Sequence, residues 1–411
     1  MKRIAVVCLV LAMTATLIAC GDGGSTTSTS TSAPSPGTSE LPPQVVAPPP
    51  APEALPDIDA GFEVPFVDFG TDRLDDPWAR DPYQLVYLIA FHSPFSRAMV
   101  ETYIKIGERL NFTMESFDTN RDYDLLMNLI ETCAGQDYDA MIIEGDYTIM
   151  DRIFEIVNEY DITFIPGLSP YIDAPTGRYR MASTVVDSYA RGYMCMNYLL
   201  DNFMDLSSVD FDWDEVGIAT IEYSVISDFN ERVAGAEAAL RERYPDLMAS
   251  NYFPLDTAAE ATVISAEAGY NVVAATISAN PQYKGWIIHS VVEDMADGGS
   301  RALEDLGYGS VSLVTSDSIT ILRPKWDAGY EGAWVAGVDT PQIQWAHAQI
   351  TGLLLMLEGK ETPETLWPNL RGAGQDYTVI RLPFTMVERH TYVDYIAAVD
   401  RYIDLHFPSP R

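Results

Sequence analysis

Gln84-Leu85-Val86-Tyr87-Leu88-Ile89-Ala90-Phe91-His92-Ser93-Pro94-Phe95 is the stretch that decides the fold class of this chain. An unbroken apolar run with β-branched and aromatic members, closed by a turn, reads as a strand buried on both faces, and such a strand belongs to a parallel sheet. Downstream, Met99, Tyr103, Ile106 and Leu110 recur at spacings of three and four, which predicts a helix over 95–110 laying one apolar stripe on that sheet. The turn between them falls at the carboxyl end of the strand. Ligands of open α/β sheets bind at that edge, so Ser93, Phe95 and Ser96 are the first site candidates.

The same grammar repeats on either side of a midpoint. Strands over 112–117, 140–144 and 162–168 alternate with helices over 122–133 and 149–160. A second series places helices at 188–203, 229–244, 258–279 and 295–306 between strands at 216–221, 249–253, 286–292 and 311–315. Alternation of this kind implies right-handed βαβ crossovers and parallel sheets, and two series of this length make two similar lobes. The end of the chain departs from tandem order: a strand at 331–338, a helix at 342–357, a broken strand at 378–387 and a final helix at 392–403.

At 411 residues and 47% hydrophobic content the chain is long enough for two ordinary domains, each with its own core. Lys2 and Arg3 followed by the apolar run 4–18 read as a secretion signal over 1–19. Leu17-Ile18-Ala19-Cys20-Gly21 resembles the lipobox of bacterial lipoproteins, which implies a lipid on Cys20 and attachment to the outer face of the cell membrane. The Ser, Thr, Pro and Ala tract after it cannot bury enough surface to fold and reads as a tether, counted here over 20–81, although 58–81 holds Phe62, Phe66, Phe69 and Trp78 without clear period. The formal charge of −35 becomes −37 once Lys2 and Arg3 leave, which excludes nucleic acid and anionic lipid as partners. Cys133 and Cys195 sit among apolar neighbours on separate helices and read as two buried thiols. No CxxC, HExxH, GxSxG or phosphate-cradling glycine loop calls for a metal, a cofactor or an enzymatic nucleophile.

Several short segments then fall into one order: Ser93-Pro94-Phe95, Asp118 with Asp122, the run Asn230-Glu231-Arg232-Val233-Ala234-Gly235, Asp294-Met295-Ala296 with Gly298, Ser316-Asp317-Ser318, and Leu357-Glu358-Gly359-Lys360. In that order and spacing, from about Pro82 to the C-terminus, the chain resembles the type I periplasmic binding proteins of ABC transporters, most closely their sugar-binding branch. The resemblance implies an α/β fold of two Rossmann-like lobes joined by a three-strand hinge, with crossings near Val185, Asp339 and Asp376. The N-terminal lobe would be 82–185 with 340–375, and the C-terminal lobe 186–339 with 376–411. The ligand would lie in the cleft beside the crossings, and its contacts to both lobes together would favour the closed form.

Each candidate has a bland alternative. Phe95 and Phe91 can stack an apolar sugar face or simply pack in the core. His92 is a hydrogen-bonding candidate without a second metal ligand beside it. The resemblance places Asn230 in the cleft, where many relatives carry arginine, while Arg232 ties its helix to its own lobe. It also places Asp317 among the ligand contacts; a loop or cap role is the alternative. Asp339 either accepts from ligand hydroxyls or braces the hinge, and one of Glu293 and Asp294 reaches the cleft. Asp146, Ser169 and Asp256 qualify by position at strand ends. Asp118 to Asp124 mimics the start of a calcium loop, but Tyr123 stands where the sharp turn needs glycine, so Asp122 reads as a helix cap.

These readings converge on a monomeric lipid-anchored receptor outside the cytoplasm that captures a small polyhydroxylated ligand, a sugar, and delivers it to an ABC transporter permease without chemistry of its own. The acid-rich candidate set favours a neutral or cationic ligand, because an anion buried beside it would be costly. A nucleoside or the furanosyl autoinducer-2 fits the same site, and the same receptor is able to serve a membrane kinase or chemoreceptor as a sensor.

Overall fold

A computed structural model describes residues 64–90, 92–136, 138–145, 149–173, 176–207, 212–259 and 263–409. The signal, Cys20 and most of the tether lie outside the described residues, as do Phe91 and Asp146.

The opening run forms β1 (Tyr83–Ile89), in which Leu85 to Ile89 are all buried. It is followed by α1 (Pro94–Leu110), β2 (Phe112–Asp118), α2 (Tyr123–Ala134), β3 (Ala140–Ile143), α3 (Met150–Glu159) and β4 (Thr163–Pro166). The four strands stand in the order β2-β1-β3-β4, all parallel, so β1 is central as its composition requires. Local chemistry sets the helix ends. Ser93 Oγ accepts from the Ser96 amide at 3.0 Å to start α1, Asn111 ends it in the left-handed region at φ 52°, and Asp122 caps α2 through the Leu125 amide at 2.9 Å. The stripe Met99, Tyr103, Ile106 and Leu110 is buried in the first core.

A hairpin of β5 (Ile172–Asp173) and β6 (Arg178–Tyr179) leads to β7 (Ser183–Val185), the first crossing. The second lobe runs α4 (Ser188–Leu206), β8 (Val216–Glu222), α5 (Ser227–Arg243), α6 (Pro245–Ser250), β9 (Tyr252–Asp256), α7 (Ala266–Ala279), β10 (Gly285–Ser290), α8 (Glu293–Asp305), β11 (Leu313–Asp317), α9 (Leu322–Asp327) and β12 (Trp334–Asp339). Then come α10 (Gln342–Leu357), β13 (Val379–Arg381), β14 (Thr385–Glu388) and α11 (Tyr392–His406). The second sheet has the order β14-β12-β11-β10-β8-β9, parallel except for β14. Gly235 lets α5 lie against α4, since a Cβ there would sit 1.9 Å from Tyr189 O.

Four local expectations are corrected. The strand placed at 249–253 starts only at Tyr252, because Pro245 at the first helical position opens α6 in front of it. The helix placed at 258–279 begins at Ala266, where Ser265 Oγ accepts from the Ala268 amide at 3.2 Å. The broken strand 378–387 is two strands in different sheets: β13 pairs with β7 in the hinge, and β14 turns back along β12. The final correction concerns 64–81, counted above with the tether. Phe69 is 1% exposed in the first core, Gln344 donates to Pro65 O, and Lys360 Nζ reaches Asp75 at 2.8 Å and Arg73 O at 2.6 Å. A segment without period is held here by single contacts: Phe69 docks on His347 of α10, and Phe66, itself exposed, stacks on His406 of α11.

The chain passes between the lobes after β7, after β12 and after β13. β7 and β13 run side by side as a parallel pair, closed by Leu382 N to Val185 O at 2.8 Å. The tail does not stay in one lobe. Tyr395 of α11 belongs to the second core, whereas Tyr402 and the following Phe407 belong to the first.

Candidate functional site: the cleft between the lobes

The carboxyl ends of the two sheets face each other across the crossings. Arg121, in the turn after β2, donates through Nη1 to Tyr223 Oη, in the turn after β8, at 2.9 Å. Asp294 at the start of α8 lies within the field of Arg97 and His92 of the first lobe. Burial pushes its pKa up, with Asp297 adding to this, and the Arg97 guanidinium of the first lobe pulls it back.

On the first lobe's side, His92 pairs through Nδ1 with Asp118, and its Nε2 lies 2.7 Å from Arg97 Nη1. A guanidinium only donates, so Nε2 accepts from it and Nδ1 carries the proton given to Asp118. Beneath this rim Glu144 is buried, accepting from the Tyr87 hydroxyl and from the Ala90 amide at 3.0 Å. Gln349 of α10 donates to Pro166 O at 3.0 Å and Gly167 O at 2.7 Å, and Tyr103 donates to Gln349 Oε1. These bonds fix the loops after β1 and β4 from below. Glu144 escaped the sequence reading because it ends an apolar run, and Gln349 because it sits inside a hydrophobic helix.

Of the other first-lobe candidates, Ser93 and Ser96 hydroxyls lie 2.9 Å apart, spending part of their capacity on the helix start. Phe95 is half-buried and packs edge-on against Trp345, ring centroids 6.1 Å apart. Ser169 is half-buried just beyond β4.

The second lobe holds its acids differently from what the sequence suggests. Asp317 is buried and forms ion pairs with both Arg191 and Arg232. Arg191 also donates to Val338 O at 3.0 Å, and Arg232 to Val291 O at 2.8 Å and Asp228 at 2.7 Å. Burial raises the Asp317 pKa while the two guanidiniums pull it back. The carboxylate proposed as a ligand acceptor is thus committed to an internal lock, and Arg232 does tie its helix to its own lobe. Arg191 carried no signal in the sequence; it stands in an otherwise ordinary helix.

Glu293 is likewise turned inward. Its oxygens accept from the amides of Thr320 at 2.5 Å and Ile321 at 2.6 Å, and burial pushes its pKa up to about 8 against those donors. Of the pair, Asp294 is the one coupled across the cleft. Asp339 is 2% exposed and accepts from Tyr395 at 2.6 Å; burial pushes it up to about 6, opposed by that hydroxyl and by Arg191. Bracing the hinge is therefore the part of its two readings that the geometry displays. Between these acids Ser318 adopts φ 97°, a region non-glycine residues rarely enter, and Gly337 makes room for its carbonyl.

Asn230 is exposed and donates to Ser224 O at 3.0 Å. Asp256 is exposed and accepts from the amides of Ser224 at 3.2 Å and Ala258 at 3.0 Å; partial burial opposes these donors, which hold its pKa below the ordinary value. Both thiols are buried, with pKa values pushed up by burial to about 11 for Cys133 and about 12 for Cys195.

No family model matches the sequence, and no curated protein resembles it at the sequence level. Solved structures do resemble it. An ABC transporter periplasmic solute-binding protein from Actinobacillus succinogenes 130z with bound D-allose superposes with a TM-score of 0.58 at 17% identity, covering 76% of this chain and 100% of the other. A galactofuranose-binding protein gives 0.58 at 14% identity over 79% and 100%. A solute-binding protein from Bacillus halodurans C-125 with bound myo-inositol gives 0.58 at 14% over 77% and 98%. With two parallel α/β lobes, strands crossing between them and a cleft at the facing strand ends, the chain has the type I periplasmic binding protein fold.

Proposed function

We propose that the protein is a solute receptor outside the cytoplasm that captures a small polyhydroxylated molecule, a sugar or cyclitol, between its lobes and hands it to an ABC transporter permease, held at the membrane through Cys20. The observation that carries this reading is the cleft itself, in which Arg121 of one lobe meets Tyr223 of the other at 2.9 Å beside the crossing strands. Structures of the same fold hold allose and myo-inositol, which supports the ligand class. His92, Ser93, Ser96, Ser169, Asn230 and Asp256 from the sequence reading supply hydrogen-bonding groups at the rim together with Phe91, Phe95 and Asp146, and Asp118 and Asp294 join them from the geometry. Asp317, Glu293 and Asp339 act one layer below, holding the backbone at the strand ends. Arg191 and Arg232 are spent on buried Asp317, and Asp118, Asp256 and Asp294 stand at the rim, so a neutral ligand fits best.

The test is a thermal-shift panel of aldoses, furanoses, inositols, nucleosides and amino acids. A true ligand at a hundred times its dissociation constant adds about 2.7 kcal/mol and is recovered unchanged. Stabilisation by amino acids alone overturns the assignment, and so does a panel without any shift.

A further inference from the structure

The last helix does something that three crossings do not require. Tyr395, near its start, is buried in the second lobe and donates to Asp339 at the end of β12, while Tyr392 donates to Asp327 of the same lobe at 2.9 Å. Seven residues on, Tyr402 is buried in the first lobe, with its hydroxyl 2.9 Å from His347 Nδ1. Phe407 packs its ring 4.6 Å from the same histidine, and Arg109 of α1 holds Asp404 at 2.6 Å. Val399, between the anchors, packs against both cores. Positions seven apart share one helix face, so a single stripe grips both lobes.

We infer that α11 is a strap: a fourth, rigid connection between the lobes that limits how far the cleft opens. An α-helix does not stretch, so Tyr395 and Tyr402 stay about 10 Å apart along its axis. Any opening that moves Asp339 away from His347 must bend the helix or pull out one anchor. The first-lobe anchor is reinforced from outside by the segment that leads to the N-terminus. Thr71 hydrogen-bonds His347 Nε2, Phe69 meets the same ring at 4.9 Å, and Phe66 stacks on His406 at 4.2 Å. His347 is therefore the bolt between the arm and the strap, and burial lowers its pKa to about 3, keeping it neutral and able to serve both hydroxyls. The consequence is a receptor that works over a narrow range of opening.

The inference rests on the closing cleft of the proposed function but not on any ligand, and its test uses none. Spin labels are placed on exposed Glu155→Cys in α3 and Glu267→Cys in α7 of the full chain, with Cys8→Ser and Cys20→Ser; Cys133 and Cys195 are buried. The interlobe distance distribution of the unliganded protein is then read by pulsed electron resonance. Softening the strap with Ala397→Gly, or detaching its first-lobe end with Tyr402→Phe and Arg109→Ala, adds a population at longer distance. The core substitution Ile277→Val, remote from α11, leaves the distribution unchanged. If both strap variants, folded by circular dichroism, superimpose on the parent, or if Ile277→Val broadens the distribution equally, the strap is refuted. A failed ligand panel with a broadened distribution sinks the solute reading and spares this one.

Discussion

Arg121 and Tyr223, 102 residues apart and on opposite lobes, share a hydrogen bond of 2.9 Å, and the guanidinium carbon lies 5.7 Å from the tyrosine ring. Arg121 is presented by a turn in which it and Asn120 both take positive φ, with the Arg121 amide donating to Ala90 O at 2.7 Å. A hydrogen bond from a charged group in a partly exposed setting contributes about 1 kcal/mol, or about fivefold in a closed-to-open ratio. Arg121→Ala therefore increases the radius of gyration of the unliganded protein in X-ray scattering. An unchanged radius would mean that this contact does not hold the lobes together.

Asp317 is expected to matter for stability before it matters for binding. Asp317→Asn leaves the buried Arg191 guanidinium without its counter-charge and Arg232 with Asp228 alone, and breaking a buried ion pair costs about 3–5 kcal/mol. Urea unfolding reads this directly. A variant as stable as the parent would return Asp317 to the list of ligand contacts.

Gly337 faces the strained turn at Ser318. A Cβ on Gly337 would lie 2.4 Å from Ser318 O, a backbone atom that cannot rotate away. Gly337→Ala should lose about 2 kcal/mol by overpacking and distort the strand ends at the cleft. Chemical denaturation measures the loss, and tolerance of the alanine would show that β11 and β12 shift freely.

His289 is fully buried in β10, and burial, with a smaller push from Arg232, takes its pKa down to about 3. Its cross-strand neighbours are Thr220 and Thr315. Folded protein keeps the imidazole neutral while the unfolded chain protonates it below its ordinary value near 6.5, so stability is lost as pH falls through that value toward 3. Between pH 7 and pH 5 this single group removes about 2 kcal/mol. His289→Leu should flatten the acid limb of a stability-versus-pH curve by that amount. Parallel curves for the two proteins would count against it.

Much of the architecture was readable locally. The apolar run of β1, the stripe of α1 and the cap Asp122 announce themselves within a few residues, because burial period and orphan amides are properties of neighbouring positions. The site was less readable. Asp317, Glu293 and Asp294 are equivalent as letters in strand-end segments, and only their partners separate them. Arg191 binds Asp317 from 126 positions away, and Glu293 is consumed by amides 27 and 28 residues downstream.

What the sequence determined by itself is the alternation of the main strands and helices, the two-fold repetition of the βαβ grammar and hence two parallel lobes with facing strand ends, since right-handed crossovers leave few alternatives. What only the tertiary structure decided is which acids stand free at the cleft and which are locked beneath it, and that the final helix belongs to both lobes. A carboxylate's role is fixed by the charges and donors packed around it, and those arrive from distant parts of the chain.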